Sequence, residues 1–310
     1  MKIYQKNNGW FDLEQTIFPL IELDTNLRLL DLTKYHSTGN KQFKLQFNLE
    51  AARKEGCGTL LSFGGAWSNH LLALAKAARE QGFTAVGIVR GEKPLRASPV
   101  LAELNRMGMR LEHVTRDLYR RLTFNTGPLA GEWQDEECAH FMARLEATYG
   151  HYFLLPEGGS NGLAVAGCRQ IANLIEKEAW SCDLVCLPVG TGGTLAGLVA
   201  GLAGRVSVLG FSALKGLTDL ESRVRSLLEA AGESNPGDWS INHDYHFGGF
   251  AKSRPELRAY IERFEANHGL RLDPVYNSKM LYGIQALRSR GAISPSTRVL
   301  AIHTGGYAGS

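Results

Sequence analysis

Residues 187–197 read Leu187-Pro188-Val189-Gly190-Thr191-Gly192-Gly193-Thr194-Leu195-Ala196-Gly197. An apolar run of strand type gives way to glycines and a hydroxyl residue, and then to helix formers. Strand, glycine turn and helix in that order make a βα unit of a parallel sheet, since glycine allows a sharp turn in which backbone N–H groups converge. Such a turn resembles a phosphate cup: the helix N-terminus adds a favourable partial charge, and Thr191 and Thr194 bring hydroxyl donors. It has neither the lysine of a Walker loop nor the GxGxxG of a dinucleotide fold, so a single phosphate group suits it better than a nucleotide. A purely structural βα turn would look the same.

Outward from this segment, short β-branched or apolar runs alternate with amphipathic stretches, which predicts an α/β fold. Strands are expected at Thr59–Phe63, Ala85–Arg90, Arg110–Thr115, Tyr152–Leu155, Leu184–Val189, Val206–Phe211 and Val299–His303. Helices are expected at Lys41–Glu55, Asn69–Gln81, Pro99–Met107, Asp135–Thr148, Gly162–Glu178, Thr194–Leu202, Asp219–Ala231, Arg254–His268 and Ser278–Arg290. The turn-rich segment Pro156–Gly162 (PEGGSNG) is a lobe junction or an active-site loop, and polar Gly232–Ser240 reads as a surface loop.

The 310 residues suffice for two lobes or one large α/β unit. Thirty-four basic against 31 acidic residues leave a formal charge of +3, too little for a nucleic-acid footprint. Five cysteines without a CxxC pair fit a reducing compartment, and no His, Cys or carboxylate cluster has metal-ligand spacing. The opening MKIYQKNNGWFDLEQ lacks a signal-type apolar run, and nowhere do eighteen apolar residues follow one another. A cytoplasmic protein with a small-molecule ligand, rather than nucleic acid or a membrane, is the expectation.

Three further constellations could carry chemistry. In Ser37-Thr38-Gly39-Asn40-Lys41-Gln42-Phe43-Lys44-Leu45, a Gly-Asn-Lys turn enters a helix, with Lys44 three residues beyond Lys41 on the same face. Burial and a neighbouring cation both lower a lysine's pKa, which a lysine needs in order to act as a free amine; a solvated basic helix start is the plainer account. Ser62-Phe63-Gly64-Gly65-Ala66-Trp67-Ser68-Asn69-His70 again runs from strand through glycines to helix, with Ser68 as N-cap or, with Asn69, as a binder of a carboxylate or cofactor oxygen. Near the C-terminus, Asp273-Pro274-Val275-Tyr276-Asn277-Ser278-Lys279 precedes a helix and Ala301-Ile302-His303-Thr304-Gly305-Gly306 ends a strand. Tyr276 could simply pack on the sheet, and Thr304 could simply open a turn.

Together and in this order, GNKQFKL, WSNH, DPVYNSK and IHTGG resemble the GNK-x-x-KL, QSNH and DPVY-x-x-K motifs of the 1-aminocyclopropane-1-carboxylate deaminase and D-cysteine desulfhydrase family, over most of the chain. The resemblance implies two open twisted sheets flanked by helices, the tryptophan synthase β-like fold of fold-type II pyridoxal-phosphate enzymes. It implies a large cofactor-binding domain of residues 1–45 plus 156–310, a small α/β domain of residues 46–155, and a homodimer. Carried over residue by residue, Lys41 holds pyridoxal 5′-phosphate as a Schiff base, Lys44 lies near the phosphate, and Gly190, Thr191, Gly192, Gly193 and Thr194 cradle it. Asn69 approaches the ring hydroxyl, Ser68 faces the substrate carboxylate with His70 and Phe250 nearby, Tyr276 stands over the reacting amino acid, and Thr304 reaches the pyridine nitrogen.

Departures from the ring-opening pattern favour D-cysteine, or a related D-amino acid with a β-leaving group, over the cyclopropane substrate. Ring-opening members resemble one another in a YG-x-P tyrosine, a Glu after the DPVY tyrosine and a Leu before the final Gly-Gly. Here Phe250, Asn277 and Thr304 stand at those places. Thr304 is desulfhydrase-like, whereas Asn277 is not, since that branch usually has Thr. Phe250 and Asn277 also keep open a pyridoxal-phosphate-binding protein with little turnover. A nucleotide-binding protein that reads Gly190–Gly193 as a Rossmann-like loop is a weaker alternative, because it gives Lys41 no role.

Overall fold

The computed structural model describes residues 19–124, 126, 135–178, 180–233, 237–250 and 252–306. The opening segment, from which the absence of a signal-type run was read, lies outside them. In chain order the elements are β1 (Ile21–Asp24), β2 (Leu27–Asp31), α1 (Asn40–Lys54), β3 (Thr59–Gly64), α2 (Asn69–Gln81), β4 (Thr84–Arg90), α3 (Pro99–Arg106), β5 (Arg110–Val114), α4 (Arg116–Phe124), α5 (Glu136–Tyr149) and β6 (Tyr152–Leu155). After a 3-10 turn at Glu157–Gly159 follow α6 (Gly162–Cys168), α7 (Gln170–Glu176), β7 (Leu184–Val189), α8 (Gly193–Leu202), β8 (Ser207–Ser212), α9 (Leu220–Ala230), β9 (Trp239–Asn242), α10 (Pro255–His268), α11 (Asn277–Ser289) and β10 (Val299–His303).

These strands form two sheets, one of six in the order β1-β2-β10-β7-β8-β9 and one of four in the order β5-β4-β3-β6. All pairs are parallel except β1 with β2. Alternate residues of each strand serve opposite faces, as the pleat requires. In β7 and β10, Val185, Leu187, Leu300 and Ile302 join the core under α6, α7, α8 and α9, while Cys186, Val299 and Ala301 join the core under α10 and α11. The smaller sheet divides likewise: Leu60, Ala85 and Val89 pack with α2 and α3, and Leu61, Phe63, Val86 and Ile88 pack with α4 and α5. Burial on both faces explains why these strands read as unbroken apolar runs.

The four-stranded sheet draws all its strands from residues 59–155, and the six-stranded sheet draws none from there. Residue 45, expected at a domain boundary, lies inside α1. The helix serves both cores, with Phe43 in the core of the larger sheet and Leu45, Leu49 and Ala52 in that of the smaller.

Several expectations need correction. Gly162–Glu178 is two helices rather than one: Ala172 N–H donates to Arg169 O in a tight i→i+3 turn, against which Gly201 of α8 packs. The stretch read as a surface loop, Gly232–Ser240, ends in β9, a short edge strand whose alternation is hidden by its polar flanks. Both β1 and β2 went unread because they are short and interleaved with Glu22, Asp24 and Arg28. Arginine-rich α4 was missed because only Leu118, Tyr119 and Leu122 face inward.

Helices α1, α6 and α8 meet through small residues. A Cβ on Gly167 would collide with the carbonyl oxygen of Phe43 on α1. One on Gly197 of α8 would sit 2.7 Å from Val165 O, besides striking Cys168. Gly167→Ala should therefore destabilise the protein by about 3 kcal/mol, because the two backbones would have to separate. Gly58→Ala, at a position with no atom within 4 Å of the added carbon, should change stability by less than about 0.5 kcal/mol. Equal thermal midpoints for the two variants would refute that account of the helix packing.

Candidate active site

Loops at the C-terminal ends of β3, β6, β7 and β10 converge on one cavity of about 720 Å³, the end of a parallel sheet at which α/β ligand sites form. Of the residues singled out by sequence, Lys41, Lys44, Ser68, Asn69, His70, Gly190, Thr191, Gly192, Thr194, Phe250, Tyr276 and Thr304 all line it. Gly193 is not among the lining residues, but a Cβ there would lie 3.1 Å from Lys44 Nζ.

The first turn of α1 carries both lysines. Gly39, at φ +56°, lets the chain enter the helix, and a side chain there would strike Thr304 O. Asn40 N–H donates to the same oxygen at 3.0 Å, so the start of α1 is held by the end of β10. Asn40 also receives a hydrogen bond from Lys41 Nζ (2.9 Å) and donates one to Thr194 Oγ1 (2.8 Å). Lys41 is half-buried at the cavity wall, where burial lowers its pKa to about 8.

Lys44 is 3% exposed and has no carboxylate partner among the described residues. Its ammonium donates to Gly158 O (2.9 Å), Ser160 Oγ (2.8 Å) and Thr191 Oγ1 (3.3 Å). Burial first, and then the charge of Lys41, push its pKa down to about 7. Ser160 and Thr191 share a hydrogen bond of 2.6 Å, which joins the PEGGSNG segment to the glycine loop after β7. Helix α8 starts at Gly192, φ +86°, and no side chain caps it, leaving its first-turn N–H groups for an anion. A buried cation without a counter-charge, hydroxyls on two loops, an uncapped helix start and a glycine where a side chain would intrude together fit a phosphate group.

On the other side, Ser68 caps α2 by accepting from Leu71 N–H at 3.2 Å, as its N-cap position implied, which leaves its own O–H free to donate. Asn69 Nδ2 donates to Gly306 O at 3.0 Å. His70 is buried and contacts Ser62 Oγ at 2.8 Å. Because the Ser62 hydroxyl is also 3.0 Å from Leu155 O, its single hydrogen goes there and Nε2 of His70 is the donor in the contact. Its Nδ1 then has no partner among the described residues, and burial with the two nearby lysines keeps the ring neutral.

Tyr276 lies over Gly190, whose added Cβ would be 3.4 Å from the ring, and Phe250 meets it edge-on at 6.2 Å. Burial and the carboxylates of Asp273 and Glu157 raise the Tyr276 pKa, so it stays a phenol. Asn277, the residue after Tyr276, is fully buried and is not among the lining residues. Its Oδ1 accepts Thr304 N–H at 3.0 Å, and its Nδ2 donates to Gly305 O and Asp273 Oδ2 at 2.8 and 2.5 Å.

Sequence reasoning passed over Asn40, Ser160 and Asp273. Asn40 stands inside the Gly-Asn-Lys turn, Ser160 inside a segment already marked as turn-rich, and Asp273 opens the DPVY run. Asp273 takes three backbone N–H bonds there, from Val275, Tyr276 and Asn277. An acidic residue ahead of a helix is a capping signal that could have disclosed it.

Residues 20–305 match the family model described as pyridoxal-phosphate dependent enzyme. A Pyrococcus abyssi protein provisionally named 1-aminocyclopropane-1-carboxylate deaminase is 31% identical over 299 residues, covering 93% of this chain and 86% of that protein. A Klebsiella pneumoniae D-cysteine desulfhydrase is 28% identical over 286 residues, covering 89% and 84%. The crystal structure of an ACC deaminase homologue superposes with a TM-score of 0.73 at 23% identity, covering 91% of this chain and 85% of its own, and shares the fold. The donors around Lys44 have the chemistry that a phosphate group requires, and the chain belongs to the pyridoxal-phosphate-dependent enzymes of the 1-aminocyclopropane-1-carboxylate deaminase and D-cysteine desulfhydrase family.

Proposed function

We propose that this enzyme is a lyase for a small D-amino acid with a leaving group on Cβ, D-cysteine foremost, which it converts with water to pyruvate, ammonia and sulfide. The observation that carries this choice is Phe250: the aromatic wall beside Tyr276 has no hydroxyl. Ring opening of the cyclopropane amino acid, which has no α-proton, needs a further group to attack or deprotonate the ring. Elimination from D-cysteine needs only one base at Cα. The names of the relatives leave cyclopropane ring opening as the second reading.

In this reading Lys41 anchors the cofactor, and Lys44, Gly190–Thr194 and the start of α8 hold its phosphate. Bound there, pyridoxal phosphate supplies an electron sink for negative charge at the substrate's Cα. The Ser68 hydroxyl would donate to the substrate carboxylate, Asn69 and Thr304 would hold the ring hydroxyl and ring nitrogen, and Tyr276 would stand over the substrate as a neutral phenol. Nζ of Lys41 takes the α-proton, and the thiol leaves as hydrosulfide. Two lobes, residues 46–155 and the remainder, would supply opposite walls: Ser68 and Asn69 from the first, Tyr276 and Thr304 from the second.

Purified protein should show the visible absorbance of bound cofactor and release pyruvate from D-cysteine faster than from D-serine or L-cysteine. Ring opening of the cyclopropane amino acid with negligible pyruvate from D-cysteine would reverse the order of the two readings. Bound cofactor without product from any of the four would make the chain a binding protein. Lys41→Ala should abolish the visible band and lower turnover by a factor of about 1,000 or more; retention of either would remove Lys41 from its role.

The pH dependence follows from the lowered pKa of Lys41. With a value of about 8, its amine is mostly protonated at pH 7 and mostly free at pH 9. Only the free amine is a nucleophile, so at saturating cofactor the rate of capture by cofactor-free protein should rise roughly tenfold from pH 7 to pH 9 and then level off. A rate independent of pH in stopped-flow absorbance would contradict that.

A further inference from the structure

Lys279, in the first turn of α11, is 1% exposed. Buried ammonium groups ordinarily sit against a carboxylate. The hydrogen bonds of Lys279 go instead to three main-chain carbonyls: His246 O at 2.8 Å, Gly249 O at 2.8 Å and Ala213 O at 3.3 Å. Asp273 favours the charged form from nearby but spends its oxygens on Val275, Tyr276 and Asn277. Burial lowers the Lys279 pKa only to about 8, so the group is a cation at neutral pH.

The carbonyls reach it from two separate segments, the residue after β8 and the turn that follows β9. That turn is held in unfavourable backbone territory. Phe247 has φ +52°, where a residue with a side chain is strained, and Gly248 and Gly249 follow at +99° and +113°. Three carbonyl dipoles pointing at one spot repel one another unless a positive charge stands there. The next residue is Phe250, on the wall of the active-site cavity.

We propose that Lys279 is a built-in monovalent cation: its ammonium fills a carbonyl site of the kind that holds potassium or ammonium ion, and thereby positions the turn that carries Phe250. A tethered ammonium offers the same single charge and the same preference for carbonyl oxygen as those ions, without depending on their concentration. Lys279 is thus a positioning residue that acts through the 246–250 turn. The proposal does not depend on which amino acid the enzyme consumes.

Removing the side chain should convert this internal cation into a requirement for an external one. In choline chloride, the Lys279→Ala holoenzyme should melt roughly 5–10 °C below the parent. Potassium or ammonium chloride at equal ionic strength should restore most of the loss while leaving the parent unchanged. Crystals of the variant grown in rubidium chloride should show an anomalous peak between the carbonyls of His246 and Gly249. Equal melting of variant and parent in choline, a loss that no cation restores, or an absent rubidium peak would overturn the proposal. If Lys279→Ala does not fold in any salt, Lys279→Gln decides, since it keeps N–H donors but not the charge. A midpoint within about 1 °C of the parent would show that hydrogen bonds alone hold the turn and would overturn the proposal; a loss of several degrees would uphold it.

Discussion

The close approach of α1, α6 and α8 at Gly167 and Gly197 is the constraint on which the site depends. At these positions one helix meets the backbone of another, so the distance between α1 and α8 is set by main chain and leaves little room to adjust. The two helices bring different things to the cavity: α1 brings Lys41 and Lys44, and α8 brings an uncapped N-terminus. Asn40 Nδ2 to Thr194 Oγ1, at 2.8 Å, ties those ends together directly. A wider spacing would separate the cations from the helix start.

That arrangement is costly before anything binds. Two lysines a single turn apart, one of them deeply buried among neutral partners, are held where burial disfavours their charge. The remaining structure tolerates the cost because each ammonium has oxygen acceptors and because the core on either side is apolar and closely packed. If a phosphate binds there, as proposed, it would relieve the repulsion and return the cost of holding the two charges as affinity.

How much of this was legible in the sequence follows from where each signal resides. Strands β3, β4, β7 and β10 are buried on both faces and read as plain apolar runs, and the turn after β7 has glycines that few other structures require. The edge strands β1 and β9 are half-exposed and look like loop, and β2, though interior, is short and broken by Arg28 and Asp31. The residues lining the site were legible because they cluster at strand ends as short motifs. Their partners were not, because a contact such as Lys44 with Ser160 joins residues 116 positions apart, and no local pattern records it. Asn277 shows the other limit: it directly follows Tyr276, but consecutive residues at a helix start point in different directions, and Asn277 is buried against Asp273 and Thr304 while Tyr276 lines the cavity.

The position of β10 has a consequence for the order in which the molecule can be built. It lies between β2 and β7 in the interior of the larger sheet, with Val299 paired to Leu27 about 270 residues earlier. As the chain emerges during synthesis, residues 59–155 can complete their own sheet early. Strand β2 must wait, one edge open, until β10 arrives. The carbonyl of Thr304, which holds the start of α1, arrives with it. A nascent chain can therefore possess a folded smaller sheet, both lysines of α1 and the glycine turn after β7, and still lack the formed cavity.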